Sequence, residues 1–231
     1  MTSERNAVRQ VVTIMAKAPR AGLVKTRLCP PLRPDEAADL SRAFLADKID
    51  QVRSASAARA IAYAPESARA VFEALAPDFF LMPQRGADLS ARVVAAFAEC
   101  FGRGYQAACL VDSDTPTLPP AILAEALARL AEPGVDLVLG PSEDGGYYLV
   151  GLKVLRAELF TEMPWSTDRV LPETLERAGR IGLRHALLPT WFDVDTPGDL
   201  ERLRADLARD GAGARHTRRA LAAAPFASVA R

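Results

Sequence analysis

Lysine is scarce in this 231-residue chain, yet two of its four lysines, Lys17 and Lys25, fall in one segment, AKAPRAGLVKTRL, together with Arg20 and Arg27. The segment follows an apolar run and leads into a predicted helix, and its Gly22 lets backbone approach a ligand closely. Clustered cations, free backbone N–H groups and a helix N-terminus are the parts of a phosphate cradle. Lys17, Arg20, Gly22, Lys25, Thr26 and Arg27 are therefore the candidate nucleotide and phosphate contacts, set against the alternative of a solvated basic loop. The Lys25–Thr26 pair also occurs in the Walker P-loop, but that motif requires glycine where Val24 stands, which excludes it.

Acidic residues recur two apart: Asp112 and Asp114 in VDSDTP, Asp193 and Asp195 in WFDVDTP. Each pair is expected to follow a strand, and residues two apart on extended backbone point the same way. Paired carboxylates suit Mg2+ or Mn2+, hard ions that take oxygen ligands and complete their shell with substrate phosphates and water. If both pairs lie at the carboxyl edge of one parallel sheet they converge, which makes Asp112, Asp114, Asp193 and Asp195 the candidate metal ligands. The competing roles are local: an aspartate capping the turn at Ser113, or Asp195 capping the next helix.

Between the pairs, SEDGGYYLVG sets Glu143 and Asp144 ahead of Gly145 and Gly146. Such a turn either aims the acids at a cleft or joins two strands at the surface. In a cleft, an acid binds an acceptor hydroxyl or acts as general base. Asp144 and Asp112 are the candidate catalytic residues, with Glu143, Gly145, Gly146 and Trp165 as acceptor contacts. Trp165 either stacks on a substrate ring or fills the core.

These side chains need a scaffold that gathers them. The periodicity predicts strands at 8–15, 60–64, 79–82, 107–111, 135–140 and 147–151, with helices from Asp35 and over 66–75, 89–101, 121–130 and 196–209. Another helix is predicted through TDRVLPETLERAG, capped by Ser166 or Thr167, with Asp168 in its first turn. Thr196, Pro197 and Asp199 read as cap, first-turn proline and capping-box acid. The alternation predicts one α/β domain over 1–210, a mostly parallel sheet flanked by helices, and an Ala/Arg-rich tail over 211–231, mobile or docked as a terminal helix.

Composition is that of a globular domain able to bury a core, with 49% hydrophobic and 25% charged residues. Basic and acidic residues balance at 29 each, which argues against nucleic acid as a partner. No apolar run suits a signal peptide or a membrane span, so a cytoplasmic protein without membrane insertion is expected. Cys29, Cys100 and Cys109 lack zinc-site spacing and are expected to be reduced, mostly buried thiols; His185 and His216 form no ligand or triad pattern.

Taken in order, MAKAPRAGLVKTRL, VDSDTPTLP, LGPSEDGGYYLVGL, PWSTDRVLPETL and FDVDTPGDL resemble the bacterial glycosyltransferase-like group associated with radical-SAM and arsenosugar biosynthesis genes, over residues 10–205. That resemblance implies the GT-A fold of nucleotide-diphospho-sugar transferases. By it, Lys17, Gly22, Lys25 and Arg27 meet the nucleotide or its phosphates, and Asp112 and Asp114 meet the metal. Asp144 and the glycines after it face the acceptor, while Asp193 and Asp195 line the metal side of the cleft. The implied activity is metal-dependent transfer of a sugar from a nucleotide sugar to a small-molecule acceptor. KTRL is also similar to the KSRL-type segment of phospholactate guanylyltransferases, so nucleotidylyl transfer from a nucleoside triphosphate to a phosphorylated small molecule is the alternative. A non-catalytic nucleotide-binding protein is the third reading.

Overall fold

The β-branched run QVVTIMAK forms β1 (Gln10–Lys17), covered on both faces as its near-continuous apolar sequence requires. In the computed structural model, which describes residues 9–209 and 213–223, the chain then alternates α1 (Pro34–Ser54), β2 (Ala58–Ala64), α2 (Arg69–Leu75), β3 (Phe80–Pro83), α3 (Leu89–Gly102), β4 (Ala107–Val111) and α4 (Pro120–Ala131). It continues through β5 (Leu137–Pro141), β6 (Tyr147–Leu152), α5 (Val170–Arg180), β7 (His185–Leu187), α6 (Pro197–Arg209) and α7 (Arg215–Ala222). One seven-stranded sheet results, ordered β3-β2-β1-β4-β6-β5-β7, in which only β6 runs antiparallel to its neighbours.

Side chains alternate across the sheet and fill two cores. Val12 and Ile14 of β1 pack with Leu45 and Ile49 of α1, Phe72 of α2 and Leu123 of α4 on one face. Val11 packs with Phe97 of α3, Phe160 and Ala178 of α5 on the other. A third cluster lies at one edge, where Leu28 and Leu32 meet Phe44 of α1 and Phe192, Val194 and Leu203. This last cluster fastens the basic loop to the segment that carries Asp193 and Asp195.

Three expectations are corrected. The helix after Trp165 begins at Val170, without a side-chain cap: Thr167 spends its hydroxyl on the Pro164 carbonyl, and Ser166 takes a left-handed backbone at φ 63°. Asp193 does not directly follow a strand, because β7 ends at Leu187 and only a single bridge, Ser142 to Trp191, extends the pairing. Nor does strand geometry carry Asp112 and Asp114, since β4 stops at Val111. The capping box at Thr196 is present: Asp199 accepts from the Thr196 N–H at 2.7 Å, and Thr196 Oγ1 accepts from the Asp199 N–H at 3.3 Å.

Of the tail, α7 docks on α1, where Asp47 accepts the N–H groups of His216 and Thr217. Residues 1–8, 210–212 and 224–231 lie outside the described residues, and with them the start of the first predicted strand, the 210/211 boundary and the end of the tail. Among the described residues no helix is long and apolar enough to cross a membrane. Cys100 and Cys109 are buried, Cys29 is half-buried, and all three are free thiols.

Candidate functional site

The sheet order reverses between β1 and β4: the chain leaves β1 for β2 on one side and returns to β4 on the other. In open α/β sheets such a switch opens a crevice beyond the carboxyl ends of the two strands. The basic loop after β1 and the acidic loop after β4 both emerge there. Lys25 reaches across it, with Nζ 2.6 Å from Asp114 Oδ1 and 2.8 Å from Asp195 Oδ1, and its side chain is only 5% exposed. Burial opposes its charge, but the two carboxylates outweigh burial and hold its pKa above the ordinary lysine value. The Val194 N–H, bonded to the Asp114 carbonyl at 3.0 Å, locks the two acidic segments together.

Asp112 faces a second ammonium. Its Oδ1 accepts the Thr115 hydroxyl at 2.8 Å and the Asp114 N–H at 3.2 Å, the latter being the turn-capping geometry, and lies 3.7 Å from Lys48 Nζ. Lys48, on α1, is fully buried and donates to Thr115 Oγ1 at 2.6 Å. Burial pushes the Lys48 pKa down against the pull of Asp112 and Asp114, and burial raises Asp112 despite Lys48. Asp193 accepts a hydrogen bond from the Ser142 hydroxyl. Burial, then the charge of Asp112, pushes its carboxyl up to about 7.

The turn at Glu143–Gly146 stands on the acidic side of the crevice. Asp144 is exposed, its Oδ1 accepting the Gly146 N–H at 2.9 Å. Glu143 is instead paired with Arg202 of α6. Gly145, at φ +88°, is placed for backbone reasons: an added Cβ would lie 2.4 Å from Asp168 Cα. Trp165 packs edge-on against Tyr147 and donates to Ser90, so it belongs to the partly buried margin of the core.

Two cavities meet at Asp195. The larger, about 400 Å³, is lined by Lys17, Lys25, Thr26, Gln84, Arg92 and Asp114 among others. The smaller, about 190 Å³, is lined by Arg27, Glu143, Asp144, Asp193, Asp195 and Asp199 among others. Asp195 borders both. Arg20 and Gly22 are exposed on the same loop and line neither; Gly22 supplies a φ of +74° where the loop turns. Two further cavities, lined in part by α1 and the α7 region, lie apart from these charges.

Sequence reasoning missed Lys48, Thr115, Ser142 and Arg92. A signal existed for Lys48, which falls between Leu45, Ile49 and Val52 on the stripe of α1 that faces the core. A lysine at such a position needs a buried partner.

A hard divalent cation suits this donor set, because Asp112 and Asp193 offer carboxylate oxygens in mutual repulsion and magnesium commonly uses one or two carboxylates with substrate phosphates. Among the described residues no three His, Cys, Asp or Glu side chains converge as a complete metal site; Asp114 and Asp195 turn to Lys25 instead.

The sheet, switch-point crevice and paired acids define an α/β domain with the nucleotide-diphospho-sugar transferase fold. The chain belongs to the family described as "Uncharacterized protein conserved in bacteria (DUF2064)", which matches residues 48–167. A protein from Desulfovibrio desulfuricans G20, provisionally assigned as a nucleotide-diphospho-sugar transferase, is 30% identical with a TM-score of 0.83, over 95% of this chain and 93% of that one. CMP:2-keto-3-deoxy-manno-octonic acid synthetase complexed with CTP is 14% identical with a TM-score of 0.56, over 87% of this chain and 99% of that one. Glucosyl-3-phosphoglycerate synthase from Mycobacterium tuberculosis, in complex with Mn2+, UDP and glucosyl-3-phosphoglycerate, is 13% identical with a TM-score of 0.51, over 88% and 80%. At those identities the last two share the fold alone. No curated protein matches the chain.

Proposed function

We propose that the chain is a metal-dependent glycosyltransferase that moves a sugar from a nucleotide-sugar donor to a small-molecule acceptor in the cytoplasm. The observation that carries this reading is the meeting of the basic loop and both aspartate pairs in one crevice, with Lys25 between Asp114 and Asp195. The donor diphosphate belongs in the larger cavity, against Lys17, Lys25, Thr26 and Arg92; Arg20, exposed on the same loop, adds positive charge to that face, and Arg27 borders the smaller cavity. The acceptor belongs in the smaller cavity, beside Asp144 and Asp193, and its modest volume suits a small hydroxylated molecule. The resemblance to the group associated with radical-SAM and arsenosugar genes supports the same choice of acceptor.

Asp112, Asp114, Asp193 and Asp195 form the metal side of the cleft. Bound Mg2+ or Mn2+ supplies neutralisation of charge on the departing diphosphate. Asp144 is exposed at the acceptor cavity and takes the proton of the attacking hydroxyl as its oxygen bonds to the anomeric carbon. The bond from that carbon to the phosphate oxygen breaks, and the nucleoside diphosphate leaves with the electron pair.

A second reading, nucleotidylyl transfer, is favoured by the number of cations around the larger cavity, which also suits a triphosphate. The two are separated by incubating the protein and Mg2+ with nucleotide sugars or with nucleoside triphosphates, each with phosphorylated and unphosphorylated sugars. Release of nucleoside diphosphate is expected. Pyrophosphate release would replace the first reading with the second, and tight nucleotide binding without turnover of any pair would leave a non-catalytic binder. Asp112→Asn is expected to abolish turnover while the chain stays folded.

A further inference from the structure

Two separate loops bring carboxylates to the smaller cavity: the Glu143–Gly146 turn carries Asp144, and the stretch after Trp191 carries Asp193 and Asp195. Both loops are fastened to the first turns of α6. Asp199 Oδ2 accepts the N–H groups of Asp195 and Thr196, at 3.1 and 2.7 Å, which fixes the second loop. One turn further on, Arg202 grips the first: Nη1 and Nη2 donate to Glu143 Oε2 and Oε1, at 2.5 and 2.8 Å. The same guanidinium lies over the Phe192 ring, 3.9 Å from its centroid. Leu200, Leu203 and Leu207 seat the helix in the buried cluster that contains Phe192 and Val194.

We propose that Arg202 is a positioning residue for the acceptor: by holding Glu143 it sets where Asp144 stands relative to Asp193 and Asp195. This rests on the reading that seats the acceptor in the smaller cavity. Glu143 then anchors the turn and does not touch the acceptor, because Arg202 takes both of its carboxylate oxygens. Ion pairs between side chains as exposed as these, 45% and 48%, ordinarily contribute little. This one has two parallel bonds and a guanidinium braced on an aromatic ring, which removes the side-chain freedom that weakens surface pairs. Backbone bonds fix the base of the turn: the Glu143 N–H to the Trp191 carbonyl at 3.0 Å, and the Leu171 N–H to the Gly145 carbonyl at 2.8 Å. Arg202 adds a side-chain link from α6 at the residue next to Asp144, and so fixes the tilt of the turn over the cavity. One helix thereby gauges the spacing of the two acidic loops.

The test is a double-mutant cycle on the full chain, Arg202→Gln and Glu143→Gln alone and together, with the pair of nucleotide sugar and unphosphorylated sugar that the wild type turns over. Each single variant is expected to raise KM for the acceptor about tenfold with a smaller fall in kcat, and the double variant to be no worse than either. Calorimetric affinity for the nucleoside diphosphate should stay within about twofold of wild type, since that ligand belongs to the other cavity. An unchanged acceptor KM in Arg202→Gln, or an equal loss of nucleoside diphosphate affinity, would overturn the proposal. Additive losses, with Glu143→Gln the more severe, would make Glu143 a direct acceptor contact and overturn it too. Should Arg202→Gln fail to fold, Arg202→Lys, which keeps the charge but loses the fork, takes its place, and a wild-type acceptor KM there would overturn the proposal. No turnover of any pair by the wild type would overturn the transferase reading beneath it.

Discussion

The Lys48 ammonium lies 2.6 Å from the Thr115 hydroxyl, which in turn donates to Asp112 at 2.8 Å, so a buried helix residue sets the direction of a carboxylate in the crevice. Thr115 is fully buried and joins the two partners at hydrogen-bond distance, since Lys48 itself stands 3.7 Å from Asp112. Thr115→Val keeps the volume and removes the hydroxyl. It should cost about 1–3 kcal/mol, the usual penalty for orphaning buried polar groups, and lower turnover by roughly tenfold or more as Asp112 swings free. Thr115→Ser should restore both. Urea melts and steady-state rates on the two variants check this, and a fully active Thr115→Val would remove Thr115 from the site.

How far the sequence foretold this arrangement depends on whether the information was local. Strand β4 was readable to the residue, because Ala107–Val111 is an unbroken apolar run ending at an aspartate. The Thr196–Asp199 capping box was readable because both partners lie within one turn. Strand β7 was not, since its three residues are exposed or half-buried and are ordered by pairing with β5. The aspartates of both pairs were recognised as a group, but which cation each would face was not. Lys25 and Asp195 are separated by 170 residues, and only the fold joins them.

The sequence predicts Gly145 as an acceptor contact, and its geometry argues for a backbone role. Besides its φ of +88°, its carbonyl accepts the Leu171 N–H at 2.8 Å, tying the Asp144 turn to the start of α5. A Cβ there would come within 2.5 Å of the Asp168 carbonyl oxygen. Gly145→Ala is therefore expected to destabilise the chain by about 1–3 kcal/mol and displace Asp144. Nucleotide affinity, set in the larger cavity on the other side of Asp195, should change little while KM for the acceptor rises. Calorimetry with nucleotide and acceptor-dependent kinetics separate the two effects, and equal losses in both would refute the division of the crevice.

Asp47 is a buried carboxylate whose two oxygens accept the N–H groups of His216 and Thr217, at 2.9 and 2.8 Å, and so cap α7 from another helix. Carboxylates at helix N-termini stabilise by satisfying free donors and by charge. Asp47→Ala should release α7 at a cost of about 1–2 kcal/mol. Hydrogen exchange over 213–223 should then accelerate, with turnover unchanged because the crevice lies elsewhere. Unaltered exchange there would mean that α7 is held by its other contacts with α1 instead, among them Arg215 and His216 on Asp50.

Asp193 makes stability depend on pH in an unusual direction for an aspartate. Burial and Asp112 push its carboxyl up to about 7, far above the ordinary value of 3.8. Between those values the folded chain binds a proton that the unfolded chain has released. Its contribution is therefore fully present below about pH 4 and is lost as pH rises toward about 7, with a slope of at most about 1.4 kcal/mol per pH unit. Saturating Mn2+ displaces that proton and should flatten or reverse the slope. Asp193→Asn, which holds no ionisable proton, should flatten it without metal. Urea denaturation from about pH 4 to 8, on wild type and variant, measures the difference. If the two slopes coincide, Asp193 is ionised throughout, and the unpaired charge assigned to it is neutralised by some neighbour other than a metal.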